Sequence, residues 1–252
     1  MFAAVPFFPQ DPAYHRFADT RPIGPIPNGW NVLSNALLIP AGIYGLLALR
    51  RAAIADRTTR AAAVVVFAGV ILTAFGSAYY HWSPSDETLV WDRLPIALTL
   101  GGFLALMITD RIGRPDTPVL PIVLAALSAA TVLVWRTTGD LRAYGIAQFF
   151  PLLAAIVMYA LFRGGRYSHG WMIGLVLAGY AVAKVCEDRD GQIFRALGFV
   201  SGHTLKHLFA AAAAAVIAVW LARRTASLPL PATPPPGSSP ATSRGTSPRR
   251  RA

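Results

Sequence analysis

The chain has 252 residues, of which 54% are hydrophobic and only 14% are charged, and its mean hydropathy is +0.47. Soluble domains carry about a quarter charged residues, so this composition excludes an ordinary soluble domain and indicates an integral membrane protein. The net charge of +11 is accompanied by no base-reading or stacking motif, so no nucleic-acid partner is expected. The single cysteine, Cys186, excludes an intramolecular disulfide and a cysteine metal cluster.

The predicted fold class is all-α, an integral membrane bundle of seven transmembrane helices. Residues 1–29 form an N-terminal segment that lacks the charged and apolar regions of a cleavable signal peptide. The bundle is expected over residues 30–224, and the Pro-, Ser- and Arg-rich residues 225–252 are expected to form a disordered tail. Hydropathy and length predict the spans at about 30–49, 61–81, 90–109, 118–135, 144–162, 171–184 and 203–221.

Arginines orient the predicted bundle, because Lys and Arg mark the cytoplasmic side of a membrane protein. They concentrate in the loops after the first, third and fifth spans and in the tail. The opposite loops contain acidic residues as well, including Glu187 and Asp190 in the polar sequence KVCEDRDGQ at the end of the sixth span. The N-terminus is therefore predicted outside and the C-terminus in the cytoplasm. The Ala- and Arg-rich composition suggests a GC-rich bacterium, so the expected location is the bacterial inner membrane.

Polar side chains end up at one depth of the predicted bundle. The sequence GSAYYHW ends the second span with Ser77 and His81, and SGHTLKH opens the seventh with His203 and His207. Each pair is spaced i,i+4 and therefore shares one helix face, about one turn apart. Asp92 lies near the start of the third span, at the same outer level. These five side chains can converge.

Three neutral imidazoles at one point are what a catalytic Zn²⁺ takes from a protein, with a fourth position left for water. A carboxylate beside it could move the proton of that water, and a serine hydroxyl could stabilise an oxyanion. Simpler readings remain for each residue alone: Asp92 could pair with Arg93, and Ser77 could serve helix packing. Haem is a less suitable occupant, because axial ligation takes one histidine from each of two helices.

The ordered motifs resemble the alkaline ceramidase family, part of a larger group of seven-helix membrane hydrolases that includes the progestin and adipoQ receptors. The resemblance is carried by NGWNVLSN at the first span, by GSAYYHWSPSDETLVWDRLP and by SGHTLKH. It implies a zinc-dependent amidase that splits a ceramide-like lipid in the bilayer into a fatty acid and a sphingoid-type base. It also implies that His81, His203 and His207 bind the zinc, while Ser77 and Asp92 assist catalysis.

Two expectations qualify this resemblance. The eukaryotic members bind calcium through an acidic N-terminal segment, whereas here Asn28 stands near the family's glutamate and Asp19 is the nearest acidic residue, so calcium regulation is doubtful. A lipid-sensing or receptor-like protein with a structural zinc is the alternative function, and a haem or ion-conducting membrane protein is a weaker one. No obligate protein partner is evident from the sequence.

Overall fold

The computed structural model describes residues 6–52, 54, 56–113, 116–162 and 168–223. The prediction of an all-α fold is confirmed, since the described residues contain helices and no strand. The predicted disordered tail lies outside the described residues. The α-helices are α1 Gly29–Leu33, α2 Leu38–Arg51, α3 Arg57–Trp82, α4 Asp86–Arg111, α5 Val119–Thr138, α6 Arg142–Leu161, α7 Met172–Asp188, α8 Asp190–Leu197 and α9 Gly202–Arg223.

Within the described residues, six helical segments are long and apolar enough to cross a membrane, and the 3₁₀ turn Ser34–Leu37 joins α1 and α2 into the first of them. The other five are α3, α4, α5, α6 and α9. The sixth predicted span corresponds to α7, which has 17 residues, is shorter than these six and packs along α9. A multi-pass membrane bundle therefore agrees with the prediction, and the count of seven spans remains a prediction.

The end of α7 differs from the prediction. The sequence KVCEDRDGQ was expected to terminate the helix at Lys184, but α7 continues to Asp188 and the short helix α8 follows it. Glu187, expected in an outer loop, is instead largely buried, with 13% of its side chain exposed. The helix tolerates these polar residues because Glu187 forms ion pairs with Lys184 and Lys206.

Helices α2, α3, α4, α6, α7 and α9 all contribute to one internal cavity of about 240 Å³. Helix α5 packs outside it, against α3, α4 and α6. The part of the cavity far from the histidines is apolar, and its lining includes Val66, Phe103, Leu152, Val176 and Ile217. The other end is polar and contains Ser77, Asp92 and His207. The helices thus line a partly open space that is apolar at one end and polar at the other.

Two glycines permit the close backbone contacts that shape the polar end. A Cβ atom on Gly76 would lie 2.0 Å from the carbonyl oxygen of Trp91, so the backbones of α3 and α4 are in contact there. Ser77 and Asp92 are the next residues on the two helices. A Cβ atom on Gly202 would lie 2.1 Å from the carbonyl oxygen of Cys186. The start of α9 is therefore held directly against the end of α7.

We expect Gly76→Ala to destabilise the bundle, because the added methyl group meets backbone atoms that cannot rotate away. The expected loss is about 1–3 kcal/mol, the usual range for overpacking. Thermal unfolding of the detergent-solubilised protein would measure it. The matched control is Gly174→Ala on α7, where a Cβ atom meets nothing within 4 Å. Equal melting temperatures for the two variants would contradict the close contact between α3 and α4.

Candidate metal centre

Three histidine side chains meet at one point inside the bundle. The Nε2 atom of His81, at the end of α3, lies 3.2 Å from Nε2 of His203 and 3.2 Å from Nε2 of His207. The possible ligand atoms of the three residues all lie within 4.8 Å of one another, and all three residues are buried. The i,i+4 spacing on α9 places its two histidines on one face, as predicted from the sequence.

This arrangement fits a metal ion. Bonds of 2.0–2.1 Å in a tetrahedral zinc site place neighbouring ligand nitrogens about 3.3–3.4 Å apart, close to the separations found here. His81 Nε2 also lies 3.2 Å from the Ser77 hydroxyl, so it has three polar neighbours. A nitrogen of a neutral imidazole is either a donor or an acceptor, so it cannot form a hydrogen bond with all three neighbours. A cation shared by the three nitrogens resolves this conflict.

Groups around the histidines fix their positions. The Ser34 hydroxyl lies 2.7 Å from Nδ1 of His207, on the side of the ring away from the cluster. The backbone N–H of His203 donates to the Asp190 carboxylate at 2.7 Å, which holds the first turn of α9. The ring of Phe17 packs edge-on or tilted against His81 and His203, with centroids 4.8 Å from each. Such outer contacts orient ligands before a metal binds.

The N-terminal segment covers this end of the bundle. The backbone N–H of Ala18 donates to the second oxygen of Asp190 at 2.8 Å, so one carboxylate joins this segment to α9. The side-chain amide of Asn28 donates to the backbone carbonyl of His81 at 2.8 Å. With Phe17 packed on the imidazoles, these contacts seal the cluster beneath residues of the N-terminal segment.

Asp92 and Ser77 line the same cavity as His207. Asp92 is buried, and its Oδ1 atom has no hydrogen-bond partner among the described residues. The simple alternative of an Asp92–Arg93 ion pair is not found in the described part of the chain. Arg93 instead stacks on the rings of Trp135 and Tyr144, with its guanidinium carbon 4.1 and 4.8 Å from their centroids. The Asp92 carboxylate is therefore available to a ligand in the cavity.

Asp19, the acidic residue considered for calcium, already has a cationic partner. Arg21 donates from Nε and Nη2 to the two carboxylate oxygens of Asp19, each at 2.8 Å. The hydrogen bonds from this guanidinium hold the pKa of Asp19 below its ordinary value. Both oxygens are thus occupied by a side chain of the protein, and the doubt about calcium regulation stays a prediction.

Sequence reasoning missed several residues at this site. Ser34 lies in the motif NGWNVLSN, but a serine in an apolar helix is more often a packing residue. The sequence places Asp190 in an outer loop, whereas in the structure its carboxylate accepts hydrogen bonds from the first turn of α9 and from the N-terminal segment. Phe17 gave no signal, because an aromatic residue before the first span is also typical of an interface anchor. Their roles depend on tertiary contacts between distant segments.

These features define a multi-pass membrane protein with a buried three-histidine site that could hold a metal ion. A family model described as Ceramidase matches residues 26–232, and the chain belongs to this family. Membership supports a hydrolase that acts on a lipid amide in the bilayer. A comparison with curated proteins gives no significant match.

We expect Ser34→Ala to weaken zinc binding roughly 10- to 100-fold, because losing an outer-shell hydrogen bond leaves the His207 ring free to turn. Competition with a chromophoric chelator would measure the affinity of the purified protein. Ser34→Thr keeps a hydroxyl and should retain most of the affinity. Ser128→Ala, on α5 and away from the cavity, is the control. Unchanged affinity in Ser34→Ala would show that this contact does not support a metal site.

Proposed function

We propose that the chain is a zinc-dependent membrane amidase that hydrolyses the N-acyl bond of ceramide-like lipids. Its products would be a fatty acid and a sphingoid-type base. The observation that carries the proposal is the meeting of three imidazole Nε2 atoms beside Ser77 and Asp92, at the polar end of an apolar cavity. The same chain belongs to the ceramidase family, which supports this reaction class.

The shape of the cavity suits a lipid amide. Ten residues separate His207 from Ile217 along α9, and both line the cavity. At 1.5 Å per residue this is a depth of about 15 Å, enough for a long segment of an acyl chain. The acyl chain would occupy the apolar part while the amide group reaches the histidines. The bilayer supplies the substrate directly, since apolar helices surround the cavity.

The residues at the polar end divide the chemistry between them. A zinc ion held by His81, His203 and His207 would supply Lewis-acid activation of water and of the amide carbonyl. Asp92 accepts the proton of the attacking water and transfers it to the departing amine nitrogen as the C–N bond breaks. The hydroxyl of Ser77 donates a hydrogen bond to the oxyanion that develops on the carbonyl oxygen. Phe17 and the segment around it exclude bulk water from this end.

Purified variants should separate metal binding from catalysis. We expect His207→Ala to lose most of its zinc, because three ligands become two. Asp92→Asn should keep zinc while turnover falls roughly 10²- to 10⁴-fold, since the amide cannot accept the proton. Ser77→Ala should keep zinc while turnover falls roughly 10²- to 10³-fold, since the variant lacks the hydroxyl that donates to the oxyanion. Metal analysis and mass-spectrometric detection of released fatty acid measure the two properties on one preparation.

Asp86→Asn is the matched control for Asp92→Asn, because Asp86 is an exposed carboxylate at the start of the same helix. Zinc binding without turnover of any lipid amide would favour the receptor-like alternative with a structural zinc. A haem absorption band would instead identify the histidines as haem ligands. Wild-type turnover in Asp92→Asn and Ser77→Ala would remove both residues from the mechanism.

We further propose that the site lies in the outer half of the membrane, with the N-terminus outside and the C-terminus in the cytoplasm. The histidines lie at the end of α3 and the start of α9, where the described residues include acidic as well as basic side chains, whereas arginines predominate at the opposite end of the bundle. The described arginines of that basic end are Arg50, Arg51, Arg57, Arg60, Arg111 and Arg223. In a bacterial inner membrane this orientation follows from the cytoplasmic preference of Lys and Arg.

Two single cysteines in a Cys186→Ser background would test the orientation. Glu87 and Asp116 are exposed carboxylates at opposite ends of the bundle, and acidic residues contribute little to membrane orientation. We expect Glu87→Cys to react with an impermeant thiol reagent in intact cells, and Asp116→Cys to react only after lysis. The reverse pattern would place the site in the cytoplasmic half of the membrane.

A further inference from the structure

The cavity contains a second cluster of charged groups, which the proposed reaction does not use. One oxygen of Glu187 accepts hydrogen bonds from Lys206 Nζ at 3.0 Å and from the Tyr14 hydroxyl at 3.1 Å. The other oxygen binds Lys184 Nζ. All four residues line the cavity that contains His207 and Asp92. We call them the lysine–glutamate cluster.

The composition of the chain makes this cluster unusual. Lys184 and Lys206 are the only lysines among the 23 basic residues of the sequence, and all the others are arginines. Both lysines contact the same carboxylate, inside a bundle whose helices are otherwise strongly apolar. Charged groups at this position are costly, and apolar residues of similar size often stabilise a protein more. A structural role alone therefore does not explain the cluster.

The lysine–glutamate cluster has more positive than negative charge. Glu187 is shared by two lysines, and its third partner, Tyr14, is a neutral donor because burial and the nearby Glu187 and Asp92 carboxylates raise the pKa of the phenol. Arg93, which also lines the cavity, contacts no carboxylate within the described residues. It is 5% exposed, and its Nη1 atom has no hydrogen-bond partner there. Three cations thus border the cavity against two carboxylates.

These cations lie beside the residues proposed for catalysis. Lys206 directly precedes His207 on α9, and Arg93 directly follows Asp92 on α4. A lipid amide with its carbonyl at the histidines and its acyl chain in the apolar part would place its amine portion against this polar wall. A neutral head group offers no charge to balance the excess. An anionic group on the amine portion would balance the excess positive charge through charge-assisted hydrogen bonds to lysine and arginine.

We propose that the preferred substrate is a lipid amide whose amine portion carries one anionic oxygen group, a carboxylate or a phosphate, bound by Lys206 with Arg93 and Lys184. This inference rests on the proposed amidase function and narrows its substrate class. Glu187 then acts as a positioning residue that holds the two ammonium groups at the cavity wall. Neutral ceramide would be a poorer substrate, because it leaves the excess positive charge uncompensated.

The test compares three amides with the same acyl chain: a neutral ceramide, a ceramide 1-phosphate and an N-acyl amino acid. We expect kcat/KM for one of the two anionic amides to exceed that for the neutral ceramide at least about tenfold, and the pair of anionic amides distinguishes phosphate from carboxylate. In Lys206→Gln this preference should fall roughly 10- to 100-fold, the effect of removing one hydrogen bond to a charged group. Because the ratio is measured on one preparation, a partly unfolded variant does not change it.

Three further variants sharpen the comparison. Lys206→Arg keeps the charge and should retain most of the preference, whereas Lys184→Gln should reduce it. Arg136→Gln is the control, because it removes an exposed cation on the same end of the bundle, where Arg136 pairs with Glu87 outside the cavity. It should leave the preference unchanged.

Equal hydrolysis of neutral and anionic amides would overturn this proposal while leaving the amidase function intact. So would an anionic preference that persists in Lys206→Gln and Lys184→Gln. If the variants instead lose only inhibition by free fatty acid, the cluster binds the product carboxylate and the proposal is wrong. Cleavage of none of the three amides by a zinc-loaded protein would count against the amidase function itself.

Discussion

The organisation of this protein depends on the need of polar groups in an apolar bundle to find partners on other helices. A polar side chain without a partner at membrane depth costs several kcal/mol, so such groups gather where backbones approach closely. The contacts at Gly76 and Gly202 create that place, since both glycines let one helix touch the backbone of another. The histidines, Ser77 and Asp92 all lie beside these contacts. Close packing and polar chemistry are thus located at the same end.

The N-terminal segment completes this end, although none of its described residues contributes a ligand atom. Its contacts are directional: Ala18 and Asn28 bind the protein through single hydrogen bonds, and Phe17 packs on two imidazole rings. Asp190 receives two backbone N–H groups, one from this segment and one from α9. Displacing the segment would therefore loosen the first turn of α9, where His203 lies. Burial of the cluster and its geometry depend on the same carboxylate.

The sequence allowed prediction of which side chains share a helix face, because these recur with the helical period. The i,i+4 spacing in SxxxH and HxxxH placed each pair on one face, and the three imidazoles do meet. The polarity of KVCEDRDGQ was misleading, because hydropathy does not reveal that Lys184 and Glu187 face a cavity and neutralise one another. Ser34 and Asp190 were not predictable, because each acts on a residue more than ten positions away. The local sequence pattern predicts which side chains share a helix face, whereas the contacts between distant residues follow from how the helices pack.

The partners of Glu187 also explain why Asp92, rather than Glu187, is the carboxylate of the cavity that can act beside the histidines. Three neutral imidazoles leave the charge of a divalent ion uncompensated, so any nearby carboxylate would be drawn toward it. Glu187 is not available to the metal ion, because Lys184, Lys206 and Tyr14 already bind both of its carboxylate oxygens. Asp92 forms no ion pair among the described residues and its Oδ1 atom has no hydrogen-bond partner there, since Arg93 is directed to aromatic rings and to Gln10. The two lysines therefore do more than add positive charge: by occupying one carboxylate they leave the other as the available proton acceptor beside the histidines.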